Sequence, residues 1–344
     1  MPTEPTATSI ERIAWMFPGE GSHRPLMARR LTGSRALFDQ ARAVCGAELY
    51  RLCAVDRTPW WPEEAAQLAI FVTSLAAARA LERAGLGADG AVGHGLGELT
   101  ALVAAGALSF PDALEAVHTR AKTMSSVGRG HGGGMVTVAG LAPEEVEAVC
   151  AGLPGVWVAG YNSPLEVAVS GDEAALGAAA VRLRKAGARV IRLEAPYARH
   201  SSSMAPVRHH LADLLQGCPI LDPQTAFYST VDAGPHAGAE AIRRLVPEGV
   251  VRPVLFAQAV RNMWQAGFTT FVEMGAGALG GPVRAALPDA RVLSVESDED
   301  AAALGEELRQ PPPSSEAGTP VRLRSLGHGI QDPARAAETT GRVA

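Results

Sequence analysis

The stretch Ala91–Glu98 (AVGHGLGE) decides the fold of this chain. Small apolar residues typical of a buried strand are followed at once by glycines, and then by a helical pattern over 99–107. A strand that turns directly into a helix has the geometry of a nucleophile elbow, which presents one side chain above a parallel sheet. That position holds Gly95, so the stretch has the shape of an elbow without a nucleophile.

The segments around the elbow predict an α/β protein. Ile13 to Phe17 is a short apolar run that ends in Pro-Gly-Glu-Gly-Ser, as expected for a buried strand that breaks into a tight loop. Residues 65–86 have apolar side chains at helical spacing, and Thr270 to Met274 reads as a further strand. Strands that alternate with helices indicate a parallel, hydrolase-like α/β sheet. A dinucleotide-binding loop is excluded, because Glu98 stands where its third glycine is required.

A second, smaller unit is predicted between Met135 and Leu193. Its pattern reads strand 135–139, helix 143–150, strands 156–161 and 166–170, helix 172–186 and strand 189–193. This βαββαβ order is typical of a ferredoxin-like α+β subdomain. We therefore expect a large α/β domain over 8–128 and 196–297, and an inserted subdomain over 129–195 that follows a flexible connection at 128–134. The Pro-rich, polar segment 310–344 is expected to be a disordered tail.

Composition narrows the classes of function. The 344 residues carry a formal charge of −5 without a cluster of basic residues, so we expect no nucleic-acid partner. No stretch approaches the ~18 apolar residues of a membrane helix, and residues 1–12 have no apolar signal region. The four cysteines lack CxxC spacing, which disfavours zinc and disulfide frameworks. A cytoplasmic protein without a membrane partner is therefore expected.

Seven motifs, in order along the chain, resemble those of the malonyl-CoA:acyl carrier protein transacylases and the acyltransferase domains of polyketide synthases. The opening FPGEGSH resembles FPGQGSQ, and the elbow resembles VGHSLGE. The other matches are Arg120 and Met124 of an LxxxRxxxM helix, YNSP at 161–164, YARHS at 197–201, RPVLF at 252–256 and FVEMGAG at 271–277.

The resemblance implies a two-step acyl transfer. In the family a serine attacks the thioester of an acyl-CoA, a histidine acts as its base, and the acyl group passes to the phosphopantetheine thiol of an acyl carrier protein. His200 matches the base, which a backbone carbonyl near Gly249 would orient. Arg120 matches the residue that binds the free carboxylate of a malonyl-type acyl group through two parallel hydrogen bonds. No cofactor and no metal are implied.

The remaining site residues follow from the same motifs. The backbone N–H of Leu96 and a second N–H near Glu20 would form the oxyanion hole. Glu20 replaces a family glutamine, and its carboxylate would oppose an oxyanion unless it is protonated or turned away. The resemblance also implies that four residues bind the substrate: His94, Asn162, Tyr197 and Arg199. Arg199 replaces a serine, so it is expected either to bind, with Arg120, a more anionic or longer acyl group or to point outward.

Gly95 is the main departure from the family, because glycine cannot form an acyl-enzyme. Three explanations stand: a decayed acyltransferase kept as a non-catalytic partner of a carrier protein or synthase, direct transfer in which His200 activates the acceptor thiol, or deliberate removal of the serine. The further departures Glu20, His23 and Arg199 favour natural drift over a single deliberate mutation. Leu96 resembles malonyl-selective members and Tyr197-Ala198 methylmalonyl-selective ones, so the acyl group stays open.

Overall fold

The computed structural model describes residues 12–45, 49–56, 61–275 and 277–309. In chain order the strands are β1 (Arg12–Phe17), β2 (Gly90–Gly93), β3 (Gly134–Ala139), β4 (Val156–Ser163), β5 (Glu166–Gly171), β6 (Arg189–Arg192), β7 (Ala226–Tyr228), β8 (Pro235–His236), β9 (Phe268–Met274) and β10 (Arg291–Val295). The helices are α1 (Ser34–Cys45), α2 (Leu49–Ala54), α3 (Glu63–Arg83), α4 (Gly97–Ala104), α5 (Phe110–His131), α6 (Pro143–Ala151), α7 (Glu173–Lys185), α8 (Ala205–Gly217), α9 (Ala239–Glu248), α10 (Phe256–Gln265), α11 (Gly280–Ala286) and α12 (Asp298–Glu307).

The larger sheet places the elbow beside the opening loop. Its strand order is β10-β9-β1-β2-β7-β8, and every neighbouring pair is parallel except the edge hairpin of β7 and β8. Strand β1 lies in the interior of the sheet and is almost wholly buried, which is why its sequence is a continuous apolar run. Phe17 pairs with Gly93, so the loop after β1 and the elbow after β2 leave the same edge of the sheet. Open α/β sheets bind ligands at this carboxyl edge.

The smaller sheet is antiparallel, with the order β4-β5-β3-β6. This is the strand order of a ferredoxin-like fold, and α6 and α7 share an apolar core with the strands that includes Val138, Val146, Val169, Leu176 and Leu183. Strand β4 also contacts the segment before α10. The N–H of Tyr161 donates to the carbonyl of Val254 at 2.8 Å, and the N–H of Val254 donates to the carbonyl of Ala159 at 3.0 Å.

The predicted fold class is confirmed, and the six elements of the smaller unit begin and end within three residues of their predicted bounds. The flexible connection predicted at 128–134 is wrong, because α5 continues to His131. Gly128 lies inside that helix, where a Cβ would come within 2.3 Å of Cδ1 of Tyr197. Helix α12 follows residue 297, the predicted end of the large domain, and packs against α3. The tail at 310–344 lies outside the described residues.

Helix α3 is the one described helix that is long and apolar enough to cross a membrane, judged by length and composition. Within the fold, however, 83% of its most apolar window is buried. It packs against α5 and α1 in the large core, so it is a core helix of this lobe.

Candidate active site

His200 is held in one orientation by two backbone carbonyls. Its Nδ1 lies 2.8 Å from the carbonyl oxygen of Gly249 and 3.2 Å from that of Arg252. Carbonyl oxygens only accept hydrogen bonds, so Nδ1 carries the proton and Nε2 keeps a free lone pair. Burial, assisted by the charge of Arg120, lowers the pKa of His200 to about 4. The imidazole is therefore a neutral base at physiological pH.

The free nitrogen of His200 faces the elbow position. A Cβ built on Gly95 would lie 3.3 Å from Nε2, the distance range in which a hydroxyl one bond further on would reach the base. Gly95 has a φ of +56°, the left-handed conformation that glycine adopts without strain. The geometry of the elbow is thus retained although its side chain is missing.

Glu20 connects the oxyanion region to Arg120. One carboxylate oxygen, Oε2, accepts a long hydrogen bond of 3.4 Å from the N–H of Leu96. The other, Oε1, forms an ion pair with Arg120, and both side chains are almost completely buried, 5% and 3% exposed. Arg120 also donates to Oε1 of Gln67. The guanidinium that the resemblance assigns to a substrate carboxylate is therefore paired with a carboxylate of the chain itself.

The Glu20 carboxyl is ionised. Burial alone would raise its pKa, but the nearby guanidinium groups of Arg120 and Arg199 outweigh burial and hold the pKa well below its ordinary value. From the sequence, Glu20 would not oppose an oxyanion if its carboxyl were protonated or turned away. Neither condition holds, because the carboxyl is ionised and one of its oxygens faces the N–H of Leu96.

A cavity of about 500 Å³ opens between the two sheets beside these residues. It is lined from the larger lobe by Glu20, His94, His200 and Phe256, and from the smaller lobe by residues that include Asn162. Among the described residues Arg120 instead lines, with Gly95, a separate space of about 10 Å³. Glu20 thus stands between the cavity and the guanidinium of Arg120.

His94 and Asn162 join the two lobes at the cavity wall. Nε2 of His94 lies 2.9 Å from Oδ1 of Asn162, whose amide nitrogen donates to Oε1 of Glu166 at 3.0 Å. The chain therefore connects the residue before the elbow to strand β4 and the start of β5. This contact fixes the orientation of two cavity-lining side chains.

The side chains of Arg199 and Tyr197 are both buried. The outward-pointing alternative for Arg199 is wrong, because its side chain is 7% exposed and forms an ion pair of 2.7 Å with Glu63. Arg199 also lines the cavity, so contact with a ligand remains a prediction. Tyr197 is 3% exposed and packs against Gly128 of α5, and it is not among the described residues that line the cavity.

Two supporting residues were not recognised in advance as partners of the site. Gln67 and Glu63, both in α3, contact Arg120 and Arg199, and neither belongs to a motif that sequence could have signalled. Glu98, the last residue of the elbow motif, is buried and accepts hydrogen bonds of 2.9 Å from the hydroxyls of Ser229 and Thr230. These bonds tie the elbow helix to the loop after β7.

The fold and the arrangement of the site are those of the acyltransferase family. Residues 14–280 match the family model of the acyl transferase domain, and the chain belongs to this family. The resemblance that the motifs indicated is therefore confirmed.

Relatives within the family include free-standing enzymes and parts of large synthases. The chain is 30% identical over 301 residues to the malonyl CoA-acyl carrier protein transacylase of Bacillus subtilis, covering 84% of this chain and 95% of that protein. It is 34% identical over 302 residues to the phenolphthiocerol synthesis polyketide synthase Pks15/1 of Mycobacterium marinum, of which it spans only 14%.

Solved structures show the same relationship. The malonyl CoA-acyl carrier protein transacylase of Coxiella burnetii aligns with a TM-score of 0.83 at 26% identity, covering 89% of this chain and all of that one. A malonyl-transacylase in complex with a type II polyketide synthase acyl carrier protein aligns with a TM-score of 0.82 at 27% identity, covering 86% of this chain and all of that one.

Proposed function

We propose that this chain is a cytoplasmic acyltransferase-family protein that binds the pantetheine arm of an acyl carrier protein or of coenzyme A, but forms no acyl-enzyme. The relatives that support this proposal are malonyl transacylases and polyketide synthases, one of them bound to its carrier protein. The chain keeps the cleft of these proteins while it lacks the group that would carry the acyl chain.

The observation that carries the proposal is the absence of a side chain at residue 95, opposite His200. Nε2 of this neutral base faces the Cβ position of residue 95 at 3.3 Å, and glycine supplies no hydroxyl there. Two serines of the neighbouring motifs are engaged locally, since Oγ of Ser22 donates to the carbonyl of Gly19 and Oγ of Ser201 to that of Ala198, both at 2.7 Å. Transfer through an acyl-serine is therefore lost.

Direct transfer is the second candidate, because His200 also lines the cavity. In that reaction Nε2 takes the proton of the acceptor thiol, the sulfur attacks the acyl carbon of the donor thioester, and the donor thiolate leaves and takes up the proton. The Glu20 carboxylate at the N–H of Leu96 disfavours it, since the developing oxyanion would face a negative charge.

The test uses the full chain with holo and apo carrier protein and malonyl-CoA. We expect holo carrier protein to bind more tightly than apo protein, the intact mass of the chain to stay unchanged, and malonyl-carrier formation to remain equal in the wild type and His200→Ala. Transfer that is lost in His200→Ala would establish the direct route, whereas residual transfer independent of His200 would not. Stable acylation of Ser22, Ser201 or Cys150, located by peptide mapping, would overturn the proposal.

A further inference from the structure

The Glu20 side chain reaches both places at which an acyl group would be held. Its Oε2 faces the N–H of Leu96 at 3.4 Å, where the resemblance puts the thioester oxygen, and its Oε1 pairs with Arg120, where it puts the free carboxylate. Oε2 also lies 3.4 Å from the Cβ position of residue 95. One resident side chain thus occupies the acyl end of the site.

The cations at this end are already neutralised. Arg120 faces Glu20 and Arg199 faces Glu63, so two carboxylates balance two guanidinium groups in the part of the chain that the structure describes. A malonyl-type acyl group would bring a third carboxylate into a buried region without a further partner. It would have to break the Glu20–Arg120 pair, in which both side chains are no more than 5% exposed.

The cavity itself is not filled by this pair. About 500 Å³ remain on the open side of Glu20, in a cavity that His94, Asn162, Phe256 and His200 also line. A terminal thiol is small and neutral, and it can donate a weak hydrogen bond to an unprotonated imidazole nitrogen or to a carboxylate. The open part of the site therefore fits a pantetheine arm that ends in a thiol.

We infer that Glu20 acts as a specificity-determining residue that occupies the acyl subsite and makes the protein selective for the free-thiol form of coenzyme A or carrier protein over its malonyl-type acyl form. This inference rests on the proposed function, since it assumes that the cleft binds a pantetheine arm. It narrows that function to recognition of the unloaded arm.

Calorimetric titration of the full chain with coenzyme A and with malonyl-CoA tests the inference. In the wild type we expect coenzyme A to bind at least about tenfold more tightly, because the acylated ligand adds an unpaired carboxylate. In Glu20→Gln the guanidinium of Arg120 is freed, so the affinity for malonyl-CoA should rise at least about tenfold relative to that for coenzyme A. Glu194→Gln is the matched control. It removes another carboxylate that lines the cavity, without touching Arg120, and should shift both ligands equally.

The outcomes separate the two proposals. Malonyl-CoA that binds the wild type as tightly as coenzyme A does, or a Glu20→Gln variant with an unchanged ratio of affinities, would overturn the inference and leave the proposed function standing. Failure of both ligands to bind the wild type, together with equal binding of holo and apo carrier protein, would overturn the two together. The wild-type ratio decides the matter alone if Glu20→Gln does not fold.

Discussion

Replacement of Gly95 by serine tests whether the rest of the site is still arranged for acyl transfer. The φ of +56° at this position costs an L-residue about 1 to 2 kcal/mol relative to glycine. The new Cβ would also lie 3.3 Å from Nε2 of His200, which is slightly too close, and 3.4 Å from Oε2 of Glu20, which is the lower limit of ordinary contact. We expect Gly95→Ser to lose about 2 kcal/mol of unfolding free energy and about 4 °C in Tm, and to remain folded.

The chemistry of this variant depends on Glu20. The serine hydroxyl gains a neutral base, but the Glu20 carboxylate still occupies the N–H of Leu96. Loss of one oxyanion donor slows acyl transfer about 10²- to 10³-fold, so Gly95→Ser should acylate itself with malonyl-CoA at least about 10²-fold more slowly than Gly95→Ser/Glu20→Gln. Freeing Arg120 for the malonyl carboxylate acts in the same direction.

Intact-protein mass spectrometry after timed incubation with malonyl-CoA measures this difference. The double variant should gain one malonyl group per chain, removable with hydroxylamine, and should lose this ability when Arg120→Ala is added. A double variant that stays folded by circular dichroism and thermal melting, yet takes up no malonyl group, would refute the reasoning that the site is intact apart from residues 20 and 95.

Three further predictions concern stability, each measured by urea denaturation. The pKa of His200 falls from 6.5 to about 4 on folding, so protons favour the unfolded chain as the pH drops from about 6.5 to 4. Between pH 7 and 5 the unfolding free energy of the wild type should therefore fall by about 2 kcal/mol more than that of His200→Gln. Equal decreases would contradict a buried, neutral imidazole. Glu98→Ala should cost about 3 kcal/mol, because buried donors after β7 lose their acceptor; a cost below about 1 kcal/mol would show that those donors find other partners. Glu273→Ala should cost about 2 kcal/mol, since its carboxylate accepts the backbone N–H groups of Leu279 and Gly280 at the start of α11, and an unchanged midpoint would exclude this capping role.

The sequence predicted the fold where local signals coincide with structure. The alternation of strands and helices in 135–193 is fixed by neighbouring residues, so its six elements appear close to their expected bounds. The error at Gly128 has a different origin. This glycine was read as a loop residue, but it is required because the ring of Tyr197 leaves no room for a Cβ on α5. That contact joins residues 69 positions apart, so no local pattern reveals it.

The candidate site also combines residues that local motifs identify with contacts that they do not reveal. The motifs located His200, Gly95, Arg120 and Glu20, and the structure brings them together around one point. The pairing between them was not predictable, because the charge state and direction of Glu20 depend on guanidinium groups that are 100 and 179 residues away in the chain. The partners of those groups on α3 were equally hidden, since an Arg–Glu pair between distant segments has no sequence signature.

The short segment from Arg252 to Val254 does two things at once. The carbonyl of Arg252 accepts from Nδ1 of His200, while the N–H and carbonyl of Val254 pair with strand β4. A swing of the smaller sheet away from the larger one would pull on the backbone that sets the tautomer of the imidazole. The orientation of the base and the attachment of the smaller sheet therefore depend on the same three residues of backbone.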